Sequence, residues 1–261
     1  MGEAMRVVAE LIDFCNLKCT LCWNRNRVPS GKQMSIETVE KVLQKYNHPE
    51  NEIAWFNWGD PLLYDNLEEL SEMVKNSKCK TAVSSSLSMR VSDERMESLH
   101  NFGTVCVSLS GMTSDVYGIY HRNGNFELVM ENLSRMSGMK NIKLKWLGHK
   151  YNEHQKEEAK EYANKMGFKF EVISLNCEVE DHISGFTHEL LNTRIKQNRF
   201  CRIRYWDLID TEGNYLLCCA SHNVKIGYSI DDNVSRRKLR EARSETSLCQ
   251  RCTEMGYWRM Y

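Results

Sequence analysis

Cysteines are the residues of this 261-residue chain best suited to chemistry, and three of the eleven are closely spaced. Cys15, Cys19 and Cys22 follow an apolar, strand-like segment in a C-x3-C-x2-C pattern. Three thiolates on a four-iron cluster leave one iron open to a substrate or cofactor, whereas four thiolates close the site. The alternatives are buried free thiols or a zinc site. Zinc sites usually pair cysteines two by two and include a fourth ligand, and no fourth ligand lies nearby in the sequence. The spacing therefore favours an iron–sulfur cluster with one open iron.

A second group of cysteines lies in the C-terminal third of the chain. It consists of Cys201, Cys218, Cys249 and Cys252. Four thiolates would form a closed site, and ligand chemistry alone leaves both zinc and a four-iron cluster open. Cys219 is a substitute for its neighbour Cys218, but the spacing after Gly213 favours Cys218.

The remaining cysteines and two other polar residues are weaker candidates. Cys79 and Cys106 lie in or beside strand-like runs and are expected to be small buried hydrophobes. Cys177 follows the sixth predicted strand, while Lys145 and His149 lie on or just beyond the fifth. These last three are the candidate catalytic groups, with buried or packed side chains as the alternative.

The overall composition narrows the setting in which this chemistry takes place. The 35 basic and 35 acidic residues cancel, and the pI is near 7.1, so no global field attracts nucleic acid or an anionic membrane. The N-terminal residues carry charges and resemble no signal peptide, and no apolar run approaches the ~18 residues of a spanning helix. We therefore expect a cytoplasmic protein, in which many cysteines indicate metal binding or catalysis rather than disulfides.

Strand-like and helix-like segments alternate along the first two thirds of the chain. The predicted strands are Arg6 to Ile12, Glu52 to Trp58, Lys80 to Ser85, Thr104 to Ser110, Ile142 to Leu147 and Phe168 to Leu175. The predicted helices are Ser35 to Tyr46, Asn66 to Asn76, one capped by Ser92, about Asn125 to Met136, and Glu153 to Met166.

Six such repeats predict an α/β fold, an open, partial (β/α)6 barrel of the TIM type, which we assign to residues 1–176. Residues 177–261 then form a small second module, which includes a basic helical stretch from Arg236 to Arg243 interpreted as a solvated helix face. The carboxyl ends of the barrel strands should carry the chemistry, and the first cysteine group follows the first strand.

The pattern C-x3-C-x2-C after the first strand resembles the signature of the radical S-adenosylmethionine superfamily. The resemblance implies a [4Fe-4S] cluster on Cys15, Cys19 and Cys22 whose open iron binds the amino and carboxylate groups of S-adenosylmethionine. One electron from the reduced cluster then breaks the sulfonium bond, and the resulting 5'-deoxyadenosyl radical abstracts hydrogen from the substrate. It also implies a low-potential electron donor such as flavodoxin or ferredoxin.

The resemblance extends to further candidate cofactor contacts. The segment Trp58-Gly59-Asp60-Pro61 is similar to the G-G-E-P motif that holds the methionine amino group, although alone it also resembles a strand-ending turn. Leu21 stands where the family usually has an aromatic residue, which leaves Trp23 for the adenine contact or for simple packing. The other implied cofactor contacts are Ser84, Ser108, Ser110 and Arg122, all of which are also residue types common at turns or on surfaces.

The C-terminal cysteines resemble the auxiliary-cluster segment of SPASM and twitch proteins, with a cysteine, a G-x4-C element and a distant C-x2-C. The order of Trp206, Asp210, Gly213 and Asn214 around them is also similar. The resemblance implies one auxiliary [4Fe-4S] cluster on the four cysteines named above, as in the shorter twitch form, because no cysteine follows Cys252.

A closed cluster beside a radical site can accept the electron that remains after hydrogen abstraction. We therefore expect oxidation or epimerisation of a small polar substrate of the sugar or cyclitol class. The layout is similar to that of the aminocyclitol dehydrogenases acting on 2-deoxy-scyllo-inosamine. The alternatives are radical modification of a peptide, by epimerisation or a thioether cross-link, and a non-enzymatic metal-binding or electron-carrier protein.

Overall fold

Six parallel strands, connected by helical segments, form the first part of the fold. The computed structural model describes residues 4–20, 22, 24, 28–174, 206–218 and 224–246. The strands are β1 (Arg6–Ala9), β2 (Glu52–Ala54), β3 (Lys80–Ser85), β4 (Thr104–Leu109), β5 (Ile142–Gly148) and β6 (Lys169–Ser174). The helices are α1 (Ile36–Tyr46), α2 (Leu67–Lys75), α3 (Asp93–Ser98), α4 (Ser114–Tyr120), α5 (Phe126–Arg135) and α6 (Lys156–Met166). Short 3-10 turns occupy Pro61–Leu63, Leu99–Asn101 and Lys150–Gln155.

Three more strands and one helix follow along the chain. They are β7 (Trp206–Ile209), β8 (Asn214–Leu216), β9 (Lys225–Ser229) and α7 (Arg236–Ser244). The nine strands form one sheet in the order β6-β5-β4-β3-β2-β1-β7-β8-β9. β7 pairs in parallel with β1, with Leu208 opposite Val8, whereas β8 and β9 are antiparallel. The strand that precedes the first cysteines therefore lies in the interior of the sheet.

Local capping explains where several helices begin and end. The side chains of Ser35, Ser92 and Asn125 accept hydrogen bonds from backbone N–H groups three residues later, which satisfies donors left open at the first turns of α1, α3 and α5. Gly167 closes α6 in the left-handed region, at φ 78°. These positions confirm the sequence prediction for all four helix termini.

The two faces of the sheet differ in what they contact. Val7, Ile53 and Leu144 are fully buried on the face that packs against the helices, where the main core lies. Alternate residues of a strand point to opposite faces, so their neighbours line the interior of the open barrel. A smaller apolar cluster on that interior face consists of Val8, Ala54, Trp58, Leu208 and Leu216.

The structure corrects several sequence predictions. β1 and β2 end at Ala9 and Ala54, earlier than expected, because the segments after them leave the sheet to form the site described below. The helix expected from Glu153 begins at Lys156, after a 3-10 turn, and α4 was not predicted. The basic stretch is helical, but the interpretation as a wholly solvated face is wrong: Arg243 is 2% exposed, since it pairs with a buried carboxylate.

Candidate metal and cofactor site

The first cysteine group lies in the loop that follows β1. Cys15, Cys19 and Cys22 are all half-buried, and the N–H of Cys22 donates to the carbonyl oxygen of Cys19 at 3.0 Å. Burial, followed by the charge of Asp60, raises the pKa of Cys15 to about 12. Burial and the two neighbouring thiols raise the pKa of Cys19 well above its usual range. Thiolates at Cys15 and Cys19, which ligation requires, therefore need a positively charged partner, which bound iron supplies.

Backbone N–H groups point at the sulfur atoms of this loop. The N–H of Leu17 donates to Sγ of Cys15, and the N–H of Asn24 donates to Sγ of Cys22, each at 3.4 Å. The Asn24 side chain donates to the carbonyl oxygen of Trp58 at 3.1 Å and thereby ties the loop to the end of β2. Hydrogen bonds to thiolate sulfur stabilise the charged form and tune the reduction potential of a cluster.

The backbone at Gly59 lies directly against the start of the cysteine loop. A Cβ atom at Gly59 would overlap the carbonyl oxygen of Ile12 and would lie 2.8 Å from that of Phe14. The N–H of Asp60 also donates to the carbonyl oxygen of Phe14, at 3.0 Å. Glycine is therefore required at this position for the segment after β2 to hold the start of the cysteine loop.

Asp60 is fully buried, and its carboxylate already accepts hydrogen bonds from the chain. Its Oδ2 accepts from the hydroxyl of Ser85 at 3.0 Å and from the N–H and hydroxyl of Ser86 at 3.0 and 3.1 Å. Its Oδ1 caps the 3-10 turn by accepting from Leu62 N–H at 3.1 Å. Burial raises the pKa of Asp60, and these bonds act in the opposite direction. The carboxylate thus ties the end of β2 to the end of β3, and Pro61 is buried within the turn.

The loop after α4 supports the cysteine loop from the other side. The N–H of Lys18 donates to the carbonyl oxygen of Arg122 at 3.0 Å, and the N–H of Thr20 donates to that of Tyr120 at 2.9 Å. The Arg122 side chain itself is exposed. In the same loop, Nδ1 of the buried His121 lies 2.6 Å from the hydroxyl of Ser110, which is fully buried.

Two buried histidines near these hydrogen bonds are held in the neutral form. Burial lowers the pKa of His121 to about 3 and that of His149 to about 4. The ring of His149 stacks between Tyr120 and Tyr151, with centroid distances of 5.5 and 5.3 Å. Neither ring nitrogen of His149 has a hydrogen-bond partner among the described residues. The sequence did identify His149, but His121 was missed, because its role depends on a contact with Ser110 that no spacing rule predicts.

A row of polar side chains crosses three neighbouring strands on the interior face. Ser108 on β4 is the register partner of Lys145 on β5, and Lys145 is the register partner of Glu171 on β6. All three are half-buried, as is Ser84 on β3. The ammonium of Lys145 lies 6.0 Å from the ring centroid of Phe56. A hydroxyl, an ammonium and a carboxylate therefore face the same interior space.

The turn between β7 and β8 explains part of the C-terminal motif. Oδ1 of Asp210 accepts from the backbone N–H and the side-chain amide of Asn214, at 2.8 and 3.1 Å. Gly213 has φ 81°, a conformation that glycine adopts without strain. Cys218 lies two residues after β8, and both Cys218 and Cys22 pack against the small interior apolar cluster.

Other predicted site residues lie outside the described residues. They are Trp23, Cys177, Cys201, Cys219, Cys249 and Cys252. Within the described residues, Cys79 and Cys106 are buried, as expected for structural cysteines.

The first cysteine group suits a cluster better than a single ion. In the part of the chain that the structure describes, no three or more His, Cys, Asp or Glu side chains form a site for one metal ion. A four-iron cluster does not need the three thiolates to meet at one ion, because each thiolate ligates a different iron. The half-buried thiols, the N–H donors aimed at sulfur and the close approach at Gly59 all fit such a group. No helix among the described residues has the length and apolarity needed to cross a membrane.

Two known proteins are similar to this chain in sequence. A probable GTP 3',8-cyclase of Methanococcus maripaludis strain C5 is 25% identical over 203 residues, which cover 71% of this chain and 68% of that protein. The corresponding protein of strain C7 is 26% identical over 164 residues, which cover 61% of this chain and only 55% of that protein.

Several solved structures have a similar fold. Streptococcus suis SuiB bound to S-adenosylmethionine has a TM-score of 0.71 at 13% identity, over 96% of this chain and 68% of that chain. The enzyme anSMEcpe with bound AdoMet has a TM-score of 0.63 at 14% identity, over 97% and 84%. BtrN in complex with AdoMet and 2-DOIA has a TM-score of 0.56 at 13% identity, over 97% and 87%. These similarities show a shared partial-barrel fold.

A family model identifies the superfamily directly. The model described as "Radical SAM superfamily" matches residues 9–163, which is more than half of the chain and extends from the end of β1 into α6. The matched region contains the cysteine loop, Gly59 and the carbonyl groups at the end of α4 that accept hydrogen bonds from the loop. The chain therefore belongs to the radical S-adenosylmethionine superfamily.

Proposed function

We propose that this chain is a radical S-adenosylmethionine enzyme that oxidises or epimerises a small polar substrate of the sugar or cyclitol class. The observation that carries this proposal is the polar row of Ser108, Lys145 and Glu171 on the interior face of the barrel. A substrate with several hydroxyl groups can donate to the carboxylate and accept from the ammonium and the hydroxyl. An apolar interior would instead favour an apolar substrate.

The geometry of the loop supports a proposal for the residues that would hold the cluster and its cofactor. Cys15, Cys19 and Cys22 would ligate a [4Fe-4S] cluster, and the segment from Gly59 to Pro61 would receive the methionine amino group. Asp60 contributes by fixing the backbone of that segment through Ser85 and Ser86, since its carboxylate oxygens are engaged there. The further cofactor contacts proposed are Trp23, Ser84, Ser108, Ser110 and Arg122.

The bound groups and the protein divide the work of the reaction. When bound, the first cluster and S-adenosylmethionine would supply the chemistry that removes one hydrogen atom from the substrate. Cys201, Cys218, Cys249 and Cys252 would hold an auxiliary four-iron cluster, which would supply an acceptor for the second electron of an oxidation, with the proton released to solvent. The chain binds and orients the substrate along the polar row. Lys145, His149 and Cys177 are its candidate catalytic groups. An external low-potential donor such as flavodoxin or ferredoxin would deliver the electron that starts each turnover.

The first test is cleavage of the cofactor. The protein is reconstituted anaerobically with iron and sulfide, reduced with dithionite and incubated with S-adenosylmethionine, and 5'-deoxyadenosine is measured. We expect Cys19→Ser to abolish its formation. Cys79→Ser, a buried cysteine outside the loop, is the matched control and should retain activity within about twofold of wild type, because burial of a small side chain is its only role. Tightly bound zinc, or cleavage that survives in Cys19→Ser, would contradict the proposal.

The second test concerns the substrate. Candidate cyclitols, aminocyclitols and sugars are incubated with the reduced enzyme, and loss of two hydrogens is followed by mass spectrometry, with deuterium uptake from solvent as the sign of epimerisation. GTP belongs in the same panel, since sequence relatives are named probable GTP 3',8-cyclases. Peptides belong there as well, because the fold is shared with anSMEcpe and SuiB, which have been crystallised with peptides. A change confined to a peptide residue would replace the small-molecule proposal with radical peptide modification.

A further inference from the structure

Two lysines and one glutamate face the barrel interior from the last two parallel strands. Lys143 and Lys145 alternate along β5 and therefore point to the same face, and Glu171 on β6 is the register partner of Lys145. All three are half-buried, whereas Lys169, the register partner of Lys143, is exposed. Two ammonium groups and one carboxylate in the same half-buried space leave one positive charge in excess.

The carboxylate pairs with the lysine that is not its register partner. Nζ of Lys143 lies 3.2 Å from Oε2 of Glu171. Among the residues that the structure describes, the ammonium of Lys145 forms neither an ion pair nor a hydrogen bond. It lies 6.0 Å from the ring centroid of Phe56, which follows β2, and this distance is the outer limit of a cation–π contact. Lys145 therefore points across the barrel interior with its charge uncompensated by the described part of the chain.

The other acidic side chains at the carboxyl ends of the first strands are engaged elsewhere. The oxygens of Asp60 accept hydrogen bonds from the end of β3 and from the 3-10 turn. Glu10 accepts from the N–H of Trp58 at 3.2 Å. Both carboxyl groups are buried, and neither pairs with Lys145. A half-buried charge without an opposite charge is unfavourable, and a ligand that supplies the opposite charge removes this cost.

The wall across the interior from Lys145 is apolar. Its cluster consists of Val8, Ala54, Trp58, Leu208 and Leu216, with Phe56 and Trp206 packed against it. An apolar wall lowers the local dielectric constant and strengthens the field of a nearby charge. An anionic group of a bound molecule is therefore drawn to the β5 side of the interior.

The position of Lys145 along β5 places it deeper in the barrel than the cysteine loop. Leu147, the next residue of β5 on the same face, contacts Tyr120, and Cys19 packs against this pair. Two residues of a strand span about 6.5 Å. An anionic group on Lys145 therefore leaves the rest of a small molecule between that group and the cysteine loop.

We propose that Lys145 binds a carboxylate of the substrate, which makes the substrate a sugar acid. The inference rests on the proposed function and specifies the substrate class of that same site. The hydroxyl of Ser108, the register partner of Lys145 on β4, is a second donor to the same carboxylate. One excess positive charge matches a monoanion. A phosphate monoester carries a charge of about −1.5 to −2 and is repelled by Glu171, while an amino sugar brings a like charge to Lys145.

The test begins with equilibrium binding to the reconstituted holoenzyme in the presence of S-adenosylmethionine, which requires no turnover. The probes are glucose, galactose and mannose, each as the neutral sugar, the uronic acid, the amino sugar and the 6-phosphate. We expect one uronic acid to bind roughly tenfold to a hundredfold more tightly than its neutral and amino counterparts, as a charge-assisted hydrogen bond supplies. It should also bind more tightly than the 6-phosphate. The same order is expected for kcat/KM in the reduced enzyme.

Variants of Lys145 separate recognition of charge from a structural role. Lys145→Met should remove the preference for the acid, and Lys145→Glu should reverse it in favour of the amino sugar, which a merely structural side chain would not do. Lys145→Arg should keep the preference. Glu171→Gln increases the excess positive charge and should shift binding toward the 6-phosphate. Lys169→Met is the matched control on the neighbouring strand and should keep the preference within about twofold, because exposed charges are screened.

The outcomes distinguish this inference from the proposed function. If no probe binds or is turned over, the proposed function and the role of Lys145 both fall. Turnover of a neutral or amino sugar with an efficiency equal to or above that of the acid would leave the proposed function intact and overturn the inference. Tighter binding of a 6-phosphate to wild type would overturn the assignment of a carboxylate. A preference for the acid that survives in Lys145→Met would do so as well, because another group would then supply the charge.

Discussion

The two cysteine-bearing regions of this molecule are held by different kinds of contact. Backbone contacts hold the loop with Cys19. Gly59 packs against carbonyl oxygens, and N–H groups of the loop donate to carbonyls at the end of α4. The β7–β8 hairpin and α7, on either side of the C-terminal cysteines, are held by side-chain charge through Arg243 and Asp207. The first region should therefore be sensitive to added volume and insensitive to most changes of charge. The second should show the opposite behaviour.

The largest expected effect is that of Gly59→Ala. The added methyl group would overlap the carbonyl oxygen of Ile12, and backbone atoms cannot move aside as a flexible side chain can. Overpacking of this kind costs about 1–3 kcal/mol or more. We expect loss of the first cluster and at least a hundredfold decrease in 5'-deoxyadenosine formation, while the C-terminal site keeps its iron.

Gly118→Ala provides the control for this substitution. Gly118 lies in α4, and a Cβ atom there would meet no other atom within 4 Å. Alanine should leave iron binding unchanged and stabilise the helix by up to about 1 kcal/mol. Normal iron content in Gly59→Ala would show that shape does not govern the first region.

The next effect in size concerns pH. His121 and His149 have pKa values lowered to about 3 and about 4 by burial, against about 6.5 in the unfolded chain. Below pH 6.5 these two histidines bind protons in the unfolded chain but not in the folded one, so their contribution to the free energy of unfolding falls as pH falls. Each histidine should lower the free energy of unfolding by about 1.4 kcal/mol for each pH unit between pH 6.5 and its pKa in the folded protein.

Urea unfolding at pH 7 and pH 5 measures this dependence. His149→Gln should lower the pH slope relative to wild type, because one of the two groups no longer titrates. An identical slope in wild type and His149→Gln would show that this histidine is not held neutral in the folded protein.

A smaller effect is expected from the turn between β7 and β8. Asp210→Ala leaves the N–H groups of Glu212 and Asn214 without their acceptor, at a cost of about 1–3 kcal/mol. Because the turn orients the strand leading to Cys218, we expect partial loss of C-terminal iron and a lower melting temperature. Asp232→Ala removes a similar turn acceptor after β9 and should leave the iron content unchanged.

The smallest expected effect comes from exposed charges near the same turn. Lys32 and Lys225 donate to the carboxylate of Glu212 at 2.6 and 2.9 Å and hold its pKa down to about 2. The stability they contribute is present above about pH 4.5 and is lost as pH falls toward 2. Solvent screening limits it, so Glu212→Gln should change the free energy of unfolding by less than about 1 kcal/mol. The difference should vanish in 1 M salt, whereas that of Arg243→Gln should persist.

Local sequence signals predicted the barrel well. Ser35, Ser92 and Asn125 act within one helical turn, so their capping roles are readable from neighbouring residues alone. The cysteine spacing and the Gly59 segment are also local patterns, and they predicted which strand ends would meet. Helix α4 was missed because it is short, contains Gly118 and has no side-chain cap at Thr113.

Contacts between distant parts of the chain could not be predicted in this way. A basic residue such as Arg243 is usually exposed, and its burial depends on Asp207, which no local pattern connects to it. The same holds for the parallel pairing of β7 with β1, which lie about two hundred residues apart in sequence. The roles of Asp60 and His121 likewise depend on Ser85, Ser86 and Ser110, which the fold alone brings into contact.

The place of β1 between β2 and β7 has a consequence for how the protein is made. During synthesis β2 emerges soon after β1, but at 5–20 residues per second β7 follows only about 10–40 seconds later. Until then, the strand that leads into the first cysteine loop has one unpaired edge inside the nascent chain, which is a hazard for aggregation. A ribosome stalled before Trp206 would display the motif on an incomplete sheet.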